Sequence, residues 1–273
     1  MKRPEVKDRF VNPDAELPYG VTPEHVTNAI QEVYDYWHEV NEWHLENDYG
    51  RFHQQFRANN AIGGFLGHRF TLELAEEMGS LEANQMDDGY PDLLHTGGEY
   101  EWPSLAVKDK EGAGPGLEVK SSQDTTFYAH HNVEEWLIGI HYQINAEDET
   151  PADVAPIEFT QVLCASMDHD DWVYRDADGS NRTNTSDLPK EGMHELRKNP
   201  VYEMESGLVQ GNNADWNRQY RQNHARFDPV YREENPAILP DEDGSNVCDD
   251  CGQIFKNARG VTMHQGGSED CGD

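Results

Sequence analysis

Two short segments of this chain carry side chains whose types and spacing could do chemistry. The first is GLEVKSS, residues 116–122, where Glu118 and Lys120 stand two apart in a stretch that reads as a strand, so both point to one face. Lysine is scarce here, with eight among 273 residues, so one in step with a glutamate asks for a reason. Upstream, Asp92 follows Pro91 at the start of a second strand-like piece, PDLLH. If the two pieces pair as a hairpin, with the glycine-rich KDKEGAGPG as its turn, Asp92 and Glu118 meet at one end of a sheet. Two carboxylates and the intervening strand carbonyl, that of Val119, form an oxygen-lined site suited to Mg²⁺. Lys120 beside them can orient or deprotonate a water, or offset charge building on a phosphate.

The second segment is CDDCGQIFKNARGVTMHQGGSEDC. Cys248 and Cys251 stand in CxxC spacing, followed by His264 and Cys271, and thiolates and imidazole at this spacing can close a tetrahedron around Zn²⁺. The fourth cysteine, Cys164, sits in an apolar run and reads as a small buried hydrophobe.

Several elements must position these groups. Thr22 and Pro23 open a long amphipathic helix, in which Val26, Ile30, Val33, Trp37, Val40 and His44 recur at helical steps. A second helix carries Leu66, Phe70, Leu74 and Met78 and ends at Gly79, with Glu73 at the margin of its apolar stripe. EEWLIGIHYQI alternates with the period of a strand, and PIEFTQVLCASM continues the pattern, so the middle of the chain is a sheet flanked by helices. RDADGSNRTNTSDLP reads as a polar loop, and EENPAILPDEDGSN as a linker rich in proline, glycine and acid.

The formal charge is -32, spread over most of the chain, which by itself should repel DNA and anionic membranes. Such acidity with modest hydrophobicity also resembles the composition of disordered chains, but 10% aromatic residues and clear periodic segments supply core material. Dispersed acid with little lysine is the composition expected of a protein from a halophilic cytoplasm. There, self-repulsion is tolerable because the Debye length falls to about 3 Å at 1 M salt, and local constellations decide the partner. No apolar run is long enough to span a bilayer, and MKRPEVKDRF has no signal-peptide core, so a soluble cytoplasmic protein is expected.

Pro91-Asp92 and Glu118-Val119-Lys120, with SSQ following, resemble the motif of the PD-(D/E)xK nucleases, the superfamily of most type II restriction endonucleases. The order of helix with glutamate, Pro-Asp strand, turn, Glu-x-Lys strand and two further apolar strands also matches that family's core. The resemblance implies an α/β fold with a restriction-endonuclease-like mixed sheet flanked by helices. It implies Mg²⁺-dependent hydrolysis of double-stranded DNA that leaves 5′ phosphates. Asp92 and Glu118 would ligate the metal with help from the Val119 carbonyl, Lys120 would serve the attacking water, and Glu73 would join the site. A type II restriction role would bring a cognate DNA methyltransferase, and homodimers are common where both strands are cut. A structure-specific repair or recombination nuclease, and a non-catalytic zinc-finger DNA-binding or adaptor protein, stand as alternatives.

The C-terminal segment resembles the two-cysteine, two-histidine zinc fingers, with Phe255 and Val261 as the core hydrophobes of a small ββα unit and Cys271 in place of the last histidine. The expected organisation is a nuclease domain over 1–235, a linker over 236–244 and a zinc finger over 245–273. Arg57 and Arg69 lie in a stretch, 50–72, without Asp or Glu. With Arg182, Thr183 and Thr185 in the polar loop, and Arg218 and Arg221 in a second basic island, they are the candidates for DNA contact.

Overall fold

Thr22 caps the first helix, α1, Pro23–Glu46: its hydroxyl accepts from the His25 backbone N–H at 3.3 Å, and Pro23 takes the first turn, where its missing N–H costs nothing. The computed structural model describes residues 2–56, 59–85, 89–96, 116–124, 126–129, 136–145, 155–175 and 185–204, with Arg259 and Thr262. Val26, Ile30, Val33 and Trp37 form the buried face of α1. Against it lies α2, Asn59–Glu77, with Leu66, Phe70 and Leu74 fully buried.

The apolar stripe of α2 is legible from Leu66 onward, yet the helix begins at Asn59 and runs through Gly63, Gly64 and Gly67. Interior glycines weaken a helix by about 1 kcal/mol each relative to alanine. A tertiary contact explains two of them. The Ser121 hydroxyl donates to the Gly63 carbonyl at 2.7 Å, and a Cβ at Gly63 would lie 3.0 Å from the Tyr142 hydroxyl and 3.2 Å from Ser121 Oγ. At Gly67 it would lie 3.4 Å from that same Ser121 oxygen. The small residues let α2 approach the sheet closely; Gly64 faces open space and has no such role.

The sheet has six strands in the order β1 (Leu81–Ala83), β2 (Leu93–His95), β3 (Gly116–Ser122), β5 (Trp136–Ile144), β6 (Ile157–Ser166) and β9 (Pro200–Glu203). β3 and β5 run parallel and the other neighbours antiparallel, so this is a mixed sheet in an α/β protein. Between β3 and β5 the chain passes through β4 (Tyr128–Ala129), which joins β7 (Val173–Arg175) and β8 (Thr185–Asp187) in a second, three-stranded sheet. The segment expected to be a polar loop is therefore bounded by paired strands, Arg175 opposite Thr185. Its turn-forming composition hid these short strands, and β8 is held on its other edge by β4, which is distant in sequence.

Strand alternation divides the main sheet into two faces. Leu117, Val119, Ile138, Ile140, Val162 and Cys164 join the core built with α1 and α2. Leu137 and Leu163 face the other way, into a smaller cluster with Phe127, Trp172, Leu188 and α3 (Lys190–Arg197). Cys164 is fully buried, as its apolar surroundings lead one to expect, and burial pushes its thiol pKa up.

The entry to β3 depends on glycine. A Cβ at Gly116 would lie 2.2 Å from Pro91 Cγ and 2.3 Å from the Leu93 carbonyl oxygen, and the latter, as backbone, cannot turn aside. Gly116→Ala is expected to destabilise the protein by about 1–3 kcal/mol, the usual penalty of overpacking. Gly64→Ala, with nothing within 4 Å of the added carbon, should stabilise it by roughly 0.5–1 kcal/mol through helix propensity. Urea unfolding in molar KCl measures both.

Candidate active site

Asp92 immediately precedes β2, and Glu118 and Lys120 lie on β3. The antiparallel register sets Leu93 opposite Leu117, so one further step along each strand brings Asp92 beside Glu118. The predicted pairing of PDLLH with GLEVKSS is thus present; the turn proposed to join them lies outside the described residues. Reciprocal hydrogen bonds fasten the junction. The Asp92 backbone N–H donates to Glu118 Oε2 at 3.2 Å, and the Val119 N–H donates to Asp92 Oδ2 at 2.9 Å. The Lys120 ammonium pairs with Glu118 Oε1 on the same face of the strand.

Burial governs the electrostatics of this trio. Glu118 is 3% exposed. Burial, and then the neighbouring Glu118 carboxylate, push the Asp92 pKa up to about 7, against the pull of Lys120 and the Val119 N–H. For Lys120, burial alone would lower the pKa, but Glu118 and Asp92 together outweigh it and hold the ammonium above the ordinary lysine value. Two carboxylates compete here for one cation. A divalent ion would relieve that competition, and Mg²⁺ commonly binds through one or two carboxylates while keeping several waters, so Asp92 and Glu118 suit it in number and type.

Of the other expected site residues, Glu73, Arg69 and Thr185 are described. Glu73 is 5% exposed and ion-paired with Arg69 one turn earlier on α2. Burial raises its pKa and Arg69 opposes the rise. α2 packs on the face of β3 that bears Val119 and Ser121, whereas Glu118 and Lys120 point to the other face. Arg69 is also engaged, its guanidinium lying over the Tyr36 ring at 4.5 Å from the centroid. Thr185 opens β8, paired with Arg175. Arg57, Arg182, Thr183, Arg218 and Arg221, and the zinc set Cys248, Cys251, His264 and Cys271, lie outside the described residues.

Sequence reasoning missed a row of buried polar residues on the same face as Lys120. Ser122, His141, Gln161 and Glu203 stand in register across β3, β5, β6 and β9, all nearly or fully buried. The Gln161 amide donates to Glu203, and Arg197 of α3 is buried close enough for both Glu203 and His141 to feel its charge. Burial lowers the Arg197 pKa to about 9, Glu203 opposing, while burial and Arg197 lower that of His141 to about 3, against hydrogen bonding with the backbone of Ser122 and Asp124. His141 therefore stays neutral at working pH. The visible signal was a histidine at an inward position of an otherwise apolar strand, WLIGIHYQI.

No protein-family model, curated protein or solved structure matches this chain. Among the described residues no helix is long and apolar enough to cross a membrane, as the sequence led one to expect.

The raised Asp92 pKa has a consequence for stability. The folded protein holds this proton more tightly than the unfolded chain, so the group's contribution to stability is complete below pH 4 and is lost as pH rises through about 7. With chelator present, Asp92→Asn should melt several degrees above the wild type at pH 8, and the difference should vanish near pH 4. Thermal unfolding followed by circular dichroism across this range checks it.

Proposed function

We propose that this protein is a Mg²⁺-dependent endonuclease with a restriction-endonuclease-like core, hydrolysing phosphodiester bonds of double-stranded DNA in the manner of a type II restriction enzyme. The observation that carries this reading is the convergence of Asp92, Glu118 and Lys120 across one strand junction, with both carboxylates fastened by backbone N–H groups. The mixed sheet, with two helices on one face, is an architecture that can present such a junction. A zinc finger over 245–273 and a DNA partner complete the proposal; molar salt screens the charge that would otherwise oppose DNA.

Asp92 and Glu118 would hold the ion. Bound there, Mg²⁺ would supply positive charge against the scissile phosphate and lower the pKa of a water. Asp92 would give up its proton on metal loading, since its raised pKa reflects burial and an uncompensated neighbour. Lys120, drawn from Glu118 as the ion takes over that carboxylate's charge, would orient the attacking water. The water oxygen forms the new bond to phosphorus, its proton passes to solvent, and the O3′–P bond breaks. The 3′ oxygen takes a proton from solvent as it leaves, and the phosphate remains on the 5′ end.

Cleavage of unmethylated plasmid DNA in molar KCl, with and without Mg²⁺, tests the reading. Discrete fragments are expected only with metal, and Asp92→Ala and Lys120→Ala, folded by circular dichroism, should lose about 10²–10⁴-fold in rate. Cutting confined to flaps or junctions would move the role to repair or recombination. Retained zinc-dependent DNA binding with no cutting of any substrate would make the finger the functional module and overturn the nuclease reading.

A further inference from the structure

We propose that Phe127 is a positioning residue for the Lys120 ammonium, an inference that rests on the role given to Lys120 above. β3 and β5 are parallel neighbours, and Lys120 stands in register with Gly139. The position beside Lys120 on that face therefore has no side chain of its own. Phe127 fills it: a Cβ at Gly139 would lie 2.5 Å and 2.7 Å from Phe127 Cε2 and Cζ, and 3.0 Å from Leu196 Cδ2. The ring end is thus pressed onto the β5 backbone where a neighbouring side chain would stand.

The ring has little freedom to leave. Phe127 is fully buried and stacks on His141, with centroids 4.3 Å apart and planes at 26°. His141 stands in register with Ser122, at the end of the strand that carries Lys120. The Phe127 carbonyl accepts from the Leu188 N–H at 3.1 Å, and the Thr126 hydroxyl donates to the Leu188 carbonyl, so the small sheet holds this segment from behind. Gly139, His141 and Phe127 together make a rigid wall along one side of Lys120, with Glu118 on its other side along the strand.

The functional consequence is entropic. A free lysine side chain samples many rotamers, and an ammonium that must meet a water within a few tenths of an ångström cannot wander among them. A wall that removes rotamers leading away from the carboxylates keeps the ammonium beside them. An alanine at 139 would displace the wall, and a smaller side chain at 127 would open it.

The full-length protein in molar KCl is compared with Phe127→Leu, and with Phe127→Met in case leucine leaves a cavity the fold cannot bear. Lys120 is read directly by amine acetylation and peptide mass spectrometry, with exposed Lys2 as the internal reference. Both variants, where folded by circular dichroism, are expected to acetylate Lys120 about fivefold faster relative to Lys2, and to lose about tenfold in kcat with KM within twofold, the pattern of lost positioning. Unchanged Lys120 labelling and unchanged kcat in a folded variant would overturn the proposal and leave Phe127 as core alone. A wild type that cuts no DNA would sink the nuclease reading separately, and the acetylation ratio would still decide whether Phe127 holds Lys120.

Discussion

The step in register between β2 and β3 is the constraint on which the candidate site depends. Leu93 opposite Leu117 sets the spacing, and from it Asp92 and Glu118 come to share one junction while Lys120 stays on the face of Glu118. A slip of one residue would send Glu118 and Lys120 to the helical face and replace them with Val119. What opposes such a slip is the apolar alternation of β3, whose Leu117 and Val119 are buried under the helices, and the fit of Pro91 over Gly116. Packing on one face thus determines the chemistry available on the other.

The two faces also divide polar work. On the helical side, polar contacts fasten both helices to the sheet: Ser121 donates to the Gly63 carbonyl of α2, and Tyr34 of α1 accepts through its hydroxyl from the Phe159 N–H at 2.7 Å. On the other side, the buried Ser122–His141–Gln161–Glu203 row runs outward from the position beside the catalytic candidates, with Arg197 against it. Buried groups of this kind are costly unless partnered, and breaking one such partner costs more than replacing the set with apolar residues. Within the row the Gln161 amide donates to Glu203, which joins β6 to β9.

The acidity of the chain belongs to a different level of organisation. Among the described residues the only buried acids are Glu73, Glu118, Asp187 and Glu203, and the net charge bears on solubility and on the salt in which the protein works rather than on the fold. Two of the carboxylates that enter the interior are ion-paired, Glu118 with Lys120 and Glu73 with Arg69. A stretch without acid in an acidic chain reads as a surface kept clear for DNA, yet at Arg69 the positive charge serves an internal ion pair and an aromatic ring.

The sequence by itself determined the elements whose signals are local. Thr22 and Pro23 start α1 by capping chemistry, the alternation in WLIGIHYQI makes a strand, and the two-residue spacing of Glu118 and Lys120 puts both on one face whatever surrounds them. Even the meeting of Asp92 and Glu118 was legible, because a hairpin pairing follows from two adjacent strands and a glycine-rich connection. Tertiary structure alone decided the rest. The glycine-rich start of α2 is helical because Ser121 receives it, β8 lies inside a sheet because β4 pairs along its other edge, and Glu73 belongs to the helical layer because α2 packs on the opposite face from Glu118. Phe127 and Gly139 are distant from Lys120 in type and purpose until parallel pairing sets them beside it. Each of these depends on contacts between residues far apart in the chain, and period, propensity and caps hold no record of such contacts.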